Sequence, residues 1–262
     1  YPFCGNANDI VNDINGTSNG ATLSNDRFGN SNNAYYFDGD DYIELNNTFF
    51  SGAEMNQLTY NVWFKVDETP TTSYVISGKE GYWKTIRLLL GTEGQVNFGG
   101  SSSSTYFGLT SSDNIYSIGE WHMATVTLSN GQFEMFIDAV LVATGECNAN
   151  ELQYELHAQG NSTATNYIGA IHPVSPGITN YFKGYLDDFG LCNRPLSTDE
   201  IQALYSYSNN QSNASYLWST GETTSSIFVN PTQTTTYFVS NITNEQVCDS
   251  ITIDVIQSQS VL

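Results

Sequence analysis

Carboxylates are the most numerous reactive side chains in this sequence, with 27 Asp and Glu against 7 Lys and Arg. Two carboxylates at alternate positions of one strand share a face, and such a pair could act on one glycosidic bond. No Glu here is followed two positions later by Asp. Glu134 and Asp138 share a parity, but Asp138 begins a turn, so a solvated pair is expected. His122, His157 and His172 have no metal-binding spacing, and no G-x-S-x-G elbow occurs. Cys4, Cys147, Cys192 and Cys248 form no C-x-x-C pair. They read either as two disulfides of open connectivity or as buried thiols. The reactive residues therefore point away from an enzyme.

Asp187 is the carboxylate that most needs explaining. Alternation along Phe182–Leu191 puts it on one face with Tyr185, Phe189 and Leu191, a face that reads as core. A buried carboxylate without a partner costs several kcal/mol. Two partners fit: calcium, which takes its oxygens from carboxylates and carbonyls, or the guanidinium of Arg27. Asp38-Gly39-Asp40-Asp41 offers a second calcium loop or a charged hairpin turn, and Asp13 joins either group or caps a turn. Sugars stack their C–H faces on aromatic rings while their hydroxyls take directed hydrogen bonds. The candidate rings are Tyr82 and Trp83, in the loop Lys79–Lys84, and Trp63, on the wetter parity of its strand.

The elements that would position these residues are mostly strands. Segments rich in aromatic and β-branched residues recur at 34–37, 42–45, 58–66, 74–77, 85–90, 95–98, 121–128, 133–137, 140–143, 167–170 and 182–192. Residues 6–33, rich in Asn, Gly, Ser and Asp, read as an ordered irregular loop or a set of turns. Asn130-Gly131 is a hairpin signal because both positions accept positive φ. Thr59–Val66 alternates cleanly, with Tyr60, Val62, Phe64 and Val66 on the core side. One helix is expected after Pro195, where Ser197 and Glu200 fit a capping box ahead of Ile201, Leu204 and Tyr205. The fold class is all-β: a β-sandwich with a short C-terminal helix, and after it a smaller β module. The expected divisions are a sandwich over 1–206, a linker over 207–215 and the small module over 216–262.

A net charge of −20 with scattered basic residues excludes nucleic acid and anionic membrane as natural partners. No apolar run approaches the ~20 residues of a membrane helix, so membrane insertion is not expected. The opening Tyr1-Pro2 lacks a signal-peptide pattern and reads as a mature protein or an excised piece.

Several motifs in order carry a resemblance. They are Tyr1-Pro2-Phe3-Cys4-Gly5-Asn6-Ala7-Asn8-Asp9, Gly20-Ala21-Thr22-Leu23, Asp26-Arg27-Phe28-Gly29-Asn30 and Tyr36-Phe37-Asp38-Gly39-Asp40-Asp41-Tyr42-Ile43. The strand around Trp63, Glu120-Trp121-His122 and Gly184-Tyr185-Leu186-Asp187-Asp188-Phe189 continue the series. Over roughly 1–206 the chain resembles bacterial laminin G-like domains of the concanavalin A-like lectin/glucanase superfamily. It departs at Asp138-Ala139, where that family has Asp-Gly in a hairpin turn. The tail Tyr216-Leu217-Trp218-Ser219-Thr220-Gly221, with Pro231–Tyr237, resembles the later half of immunoglobulin-like modules of secreted bacterial surface proteins.

The resemblance implies a concanavalin A-like jelly roll followed by a partial immunoglobulin-like module, located outside the cell or on its surface. It implies a structural calcium tying the N-terminal segment to the last strand, which carries over to Asp9 and Asp187, with Gly29 or Asn30 giving backbone oxygens. Trp121 and Trp218 match structural positions of their families. The implied role is an adhesin-like module recognising a glycan or another surface ligand, with neighbouring modules in a larger chain. The alternatives are an architectural spacer and, third, a sandwich glycanase, whose Glu-x-Asp signature is missing.

Overall fold

The alternating segment around Trp63 becomes a nine-residue strand at the centre of a seven-stranded sheet. The computed structural model describes residues 1–10, 14–45, 57–79, 87–101, 106–146, 166–171, 180–209, 216–223, 227–241 and 247–254. The chain divides into two compact units, Tyr1–Tyr205 and Ser206–Leu262.

The larger unit is a sandwich of two antiparallel sheets. One sheet joins β1 (Gly16–Asn19), β4 (Tyr42–Leu45), β13 (Asn166–Ile168), β6 (Tyr74–Lys79), β7 (Arg87–Leu90), β8 (Val96–Ser101) and β9 (Tyr106–Thr110) in that order. The other joins β12 (Val140–Glu146), β11 (Gln132–Ile137), β10 (His122–Ser129), β5 (Gln57–Lys65), β14 (Lys183–Cys192), β3 (Ala34–Asp38) and β2 (Thr22–Ser24). Between them lies a phenylalanine-rich core that includes Phe37, Phe64, Phe98, Phe182 and Phe189, all at most 2% exposed. Tyr60, Val62, Phe64 and Val66 all join it, as the alternation predicts. β1 and β2 arise within the stretch expected as loop, where Asn- and Ser-rich strands pair at sheet edges rather than fill the core.

Two hairpin turns connect β10, β11 and β12. Asn130 and Gly131 both adopt positive φ, at 49° and 85°, and close the first. Asp138 and Ala139 close the second at 52° and 62°. The departure from Asp-Gly therefore keeps the turn geometry and places a strained alanine in it.

β14 corrects the simple parity reading. Its register against β5 shifts between Asp187 and Gly190, around Asp188 at φ 44°. Leu186 and Phe189 face the core, whereas Tyr185 and Asp187 face outward with their cross-strand partners Lys65 and Trp63. The extra residue of such a bulge exchanges the faces of everything beyond it. At Gly184, φ is 140° and a Cβ would stand 2.3 Å from the Lys65 carbonyl oxygen, so β14 approaches β5 there on a bare backbone.

Helix α1 (Thr198–Asn209) starts on the expected capping box and extends into the stretch read as linker. The Glu200 N–H donates to Ser197 Oγ at 3.3 Å, and the Ser197 N–H donates to Glu200 Oε2 at 2.8 Å. Arg194 clamps the same Glu200 carboxylate with both guanidinium nitrogens, at 2.8 and 2.7 Å, and this holds the carboxyl down at about 2. In the smaller unit β15 (Tyr216–Trp218), β16 (Thr235–Asn241) and β17 (Val247–Ile253) form an antiparallel three-stranded sheet, with Trp218 half-buried. Cys4 and Cys192 are exposed free thiols, not buried ones. Among the described residues no helix is long and apolar enough to cross a membrane.

Candidate functional site

Of the residues singled out from sequence, the outer face of the β5–β14 sheet brings Trp63 and Asp187 together, with Arg27 beside them. The chain from Arg194 to Tyr205 lies across part of it. Thr59 Oγ1 donates to the Arg194 carbonyl and accepts the Leu196 N–H, both at 2.8 Å, which fixes the segment on β5. Ile201 then packs with Trp63, Met123, Phe136 and Ala139 in a second apolar cluster. Trp63 stacks on Tyr205 with an interplanar angle of 8° and is 4% exposed. It is therefore not a ligand platform: its wetter parity is covered by a segment more than a hundred residues away in sequence.

Arg27 closes the edge of this cluster. Its guanidinium sits 4.4 Å from the Phe28 ring centroid and 4.6 Å from that of Trp63. It donates to Asp187 Oδ2 and, at 2.7 Å, to Asp188 Oδ2. The Asp188 N–H donates to Asp187 Oδ1 at 2.7 Å. Burial, then the Asp188 charge, pushes the Asp187 carboxyl up to about 7, while Arg27 pulls it down. Of the two partners left open for Asp187, the structure shows the arginine.

The other residues expected to hold calcium make local bonds of their own. Asn30 gives its N–H and Nδ2 to the buried Asp26 carboxylate at 2.8 and 2.9 Å, and its carbonyl accepts the Asp26 N–H at 3.0 Å. Gly29 is exposed with φ 86°, which serves the same tight loop. The Asp9 N–H donates to Asn15 Oδ1 at 3.2 Å, and its charge is felt by Tyr1. Both Asp187 oxygens and the Asn30 carbonyl thus already accept hydrogen bonds from the protein. Among the described residues the single grouping of three metal-type side chains is Asp38, Asp40 and Asp41. These close the β3–β4 turn by bonding within it: Asp41 Oδ2 accepts the Asp38 N–H at 2.8 Å and Asp38 Oδ1 accepts the Asp40 N–H at 3.3 Å.

Tyr82 and Trp83 lie outside the described residues; in the chain they fall between β6 and β7. A row of half-buried rings borders the helix-covered cluster, against which Trp121 itself packs. Thr22, Tyr36, Tyr185 and Lys65 stand in register across β2, β3, β14 and β5. Tyr36 and Tyr185 are half-buried, with ring centroids 4.9 Å apart. Trp121, half-buried rather than core, continues the row 6.2 Å from Tyr185. Lys65 Nζ lies 5.1 Å from the Tyr185 ring centroid, and Lys183 pairs with Glu68 at 2.5 Å nearby. Burial, Asp67 and Tyr36 raise the Tyr185 phenol, which stays a neutral hydroxyl. The result is an aromatic strip flanked by ammonium, carboxylate and hydroxyl groups. Sequence reasoning missed it, although an aromatic on the outward parity of two adjacent strands is its signal.

One arrangement mimics a hydrolytic triad. His122 Nδ1 meets Asp138 Oδ2 at 2.7 Å, and Ser117 Oγ stands 3.3 Å from Nε2. Yet the Ser117 backbone N–H donates to that same Nε2 at 2.9 Å. The ring's lone pair is committed, so the imidazole pins the loop before β10 instead of activating the hydroxyl.

A family model described as the concanavalin A-like lectin/glucanases superfamily, laminin G type, matches residues 37–202. The chain belongs to this superfamily. Its sandwich is similar to domain 4 of AbnA, an extracellular arabinanase from Geobacillus stearothermophilus solved with arabinotriose. That likeness has a TM-score of 0.55 at 16% identity and covers 76% of this chain and 93% of that one. It is also similar to the ligand-binding domain of botulinum neurotoxin serotype D solved with N-acetylneuraminic acid, with a TM-score of 0.54 at 13% identity over 80% of this chain. Here the match spans about half of the toxin domain, 51%. At these identities the likeness concerns the superfamily fold. No curated protein matches the sequence.

Proposed function

We propose that this member of the superfamily is a glycan-binding module, and that the Tyr36–Tyr185–Trp121 strip is its binding surface. The observation that carries the reading is the strip itself: three half-buried rings in contact, with Lys65 beside them, on a sheet face that α1 covers only in part. Rings held this way offer C–H stacking, and the adjoining ammonium, carboxylate and phenol groups supply directed hydrogen bonds. Membership of a lectin/glucanase superfamily supports it, as do neighbours of like fold solved with arabinotriose and with a sialic acid. The wider setting belongs to the same proposal: an extracellular adhesin, with the smaller unit as a partial immunoglobulin-like spacer to further modules. Calcium is not required for binding in this account, because Arg27 already neutralises Asp187.

A glycan array probed with the full chain, with and without EDTA, tests it. Wild type gives a specific hit in both arms. Tyr185→Ala and Tyr36→Ala each weaken that hit about tenfold, as loss of one stacking ring does. Trp83→Ala, run alongside, shows whether the expected loop platform contributes. A hit unchanged in both tyrosine variants removes the strip from the site.

A further inference from the structure

The hydrogen bonds around His122 fix its protonation state and leave one side of the ring able to change. The Ser117 backbone N–H can only donate, and it meets Nε2 at 2.9 Å, so Nε2 carries the lone pair. The ring proton therefore sits on Nδ1 and is donated to Asp138 Oδ2 at 2.7 Å. Asp138 is itself tied twice to β10. Its Oδ1 accepts the Met123 N–H at 2.8 Å, and its own N–H donates to the Met123 carbonyl at 2.9 Å. The Nδ1 side of the ring is thus anchored to a fixed turn. On the Nε2 side stands Ser117, which is exposed and places its Oγ 3.3 Å from the nitrogen that its N–H already meets.

The two groups of Ser117 suit opposite forms of the ring. A neutral imidazole accepts the N–H. An imidazolium bears a proton on both nitrogens, opposes the Ser117 N–H donor to donor and needs an acceptor, which Oγ supplies. The Asp138 charge favours the imidazolium, and the Ser117 N–H favours the neutral ring. The exchange strands no buried group, because water takes the released N–H of the exposed serine. The His122 side chain is 11% exposed, so the proton can reach it.

The other groups facing the ring do not compete. Asp138, from the β11–β12 turn, is the charged one, and among the described residues no other cation pairs with it. The β9–β10 connection brings Tyr116, its ring centroid 6.1 Å away, and burial pushes that phenol up to about 12, so it stays neutral. From β5 comes the uncharged Phe64 at 6.0 Å. The segment held by the ring is short. Ser117–Glu120 is exposed throughout, and two N–H groups tie it down: Ser117 to His122, and Gly119 to the Val66 carbonyl at 2.8 Å. Trp121 follows directly and carries one ring of the strip.

We infer that His122 is a pH-operated latch on this segment. The neutral ring holds it through the Ser117 N–H; the imidazolium exchanges that bond for one to Ser117 Oγ and loosens the approach to Trp121. As a control on glycan binding, weaker on the acid side, the latch rests on the strip being the site. The exchange itself does not.

The test is an NMR titration of the full chain from about pH 8 to about pH 5, the range in which imidazoles change charge. It reads the His122 ring nitrogens, the Ser117 amide and the Trp121 indole N–H. The expected result is a Ser117 amide and a Trp121 indole that move with the His122 midpoint. Solvent exchange of the Ser117 amide, corrected for pH, quickens about tenfold on the acid side, the scale of one lost hydrogen bond. Ser117→Ala keeps the N–H but removes the acceptor, so its midpoint falls. Asp138→Asn lowers the midpoint further, since a charge is lost as well. A merely structural histidine would respond to Asp138→Asn alone. A ring that stays neutral across the range, a Ser117 amide or Trp121 indole that ignores the midpoint, or an unmoved midpoint in Ser117→Ala would each overturn the latch. Affinity for an array-identified glycan falls through the same midpoint, and the fall moves to lower pH in Ser117→Ala. Tyr185-dependent binding that stays constant through the midpoint removes the control and leaves the strip. Latch shifts in a chain that binds no glycan remove the strip and leave the latch.

Discussion

Trp63 and Tyr185 stand on the same outward face of neighbouring strands and have opposite fates. Trp63 lies beneath Tyr205 and Arg27 at 4% exposure, while Tyr185 keeps a half-open ring beside Tyr36 and Trp121. The strand dictates the direction of each side chain; the Arg194–Tyr205 segment decides which becomes core. A parity argument alone therefore identifies rings that leave the sandwich core, and only the tertiary cover separates packing from presentation.

The largest effect is expected at the covered end. Trp63→Ala is expected to cost about 3–5 kcal/mol in urea unfolding, the range for emptying an aromatic core site. A small loss there would mean that α1 does not seal the face.

Arg27→Ala follows, at about 3 kcal/mol near pH 8, because it leaves Asp187 buried without its cation. The cost should shrink at pH 5. Asp187 titrates at about 7 in the folded chain and about 4 unfolded, so its folded pKa is raised. The stability linked to its proton is full below about 4 and is lost as pH rises through about 7. Asp187→Asn should flatten that trend, and unfolding midpoints measured from pH 4 to 8 check both signs. An Arg27→Ala cost independent of pH would show that Asp187 does not carry the charge that Arg27 offsets.

The smallest effect sharpens the boundary between the two regions. Ala139→Gly relieves a positive-φ alanine in the β11–β12 turn and should stabilise by up to about 1 kcal/mol, less the packing of its methyl in the Trp63 cluster. Calorimetry showing destabilisation would mean that the methyl's packing outweighs the strain.

Much of the frame was legible in the sequence because local chemistry decides it. The 59–66 alternation, the Asn130-Gly131 turn and the Ser197/Glu200 capping box each depend on a few adjacent residues. The β-sandwich followed from such signals, and the jelly-roll class from the resemblance that the ordered motifs carry. The site was less legible for physical reasons. The bulge at Asp188 reversed the faces of β14, so Asp187 looked like a sandwich-core residue when it sits outside the core under Arg27. The segment covering Trp63 is distant in sequence.

The most direct measurement is a calorimetric titration of the array-identified glycan into wild type, Tyr185→Ala and Trp63→Phe, with melting temperatures recorded on the same samples. The account predicts that Tyr185→Ala loses affinity about tenfold with its melting temperature little changed, and that Trp63→Phe loses stability but keeps its affinity while folded. Affinity that follows Trp63 and ignores Tyr185 would contradict it.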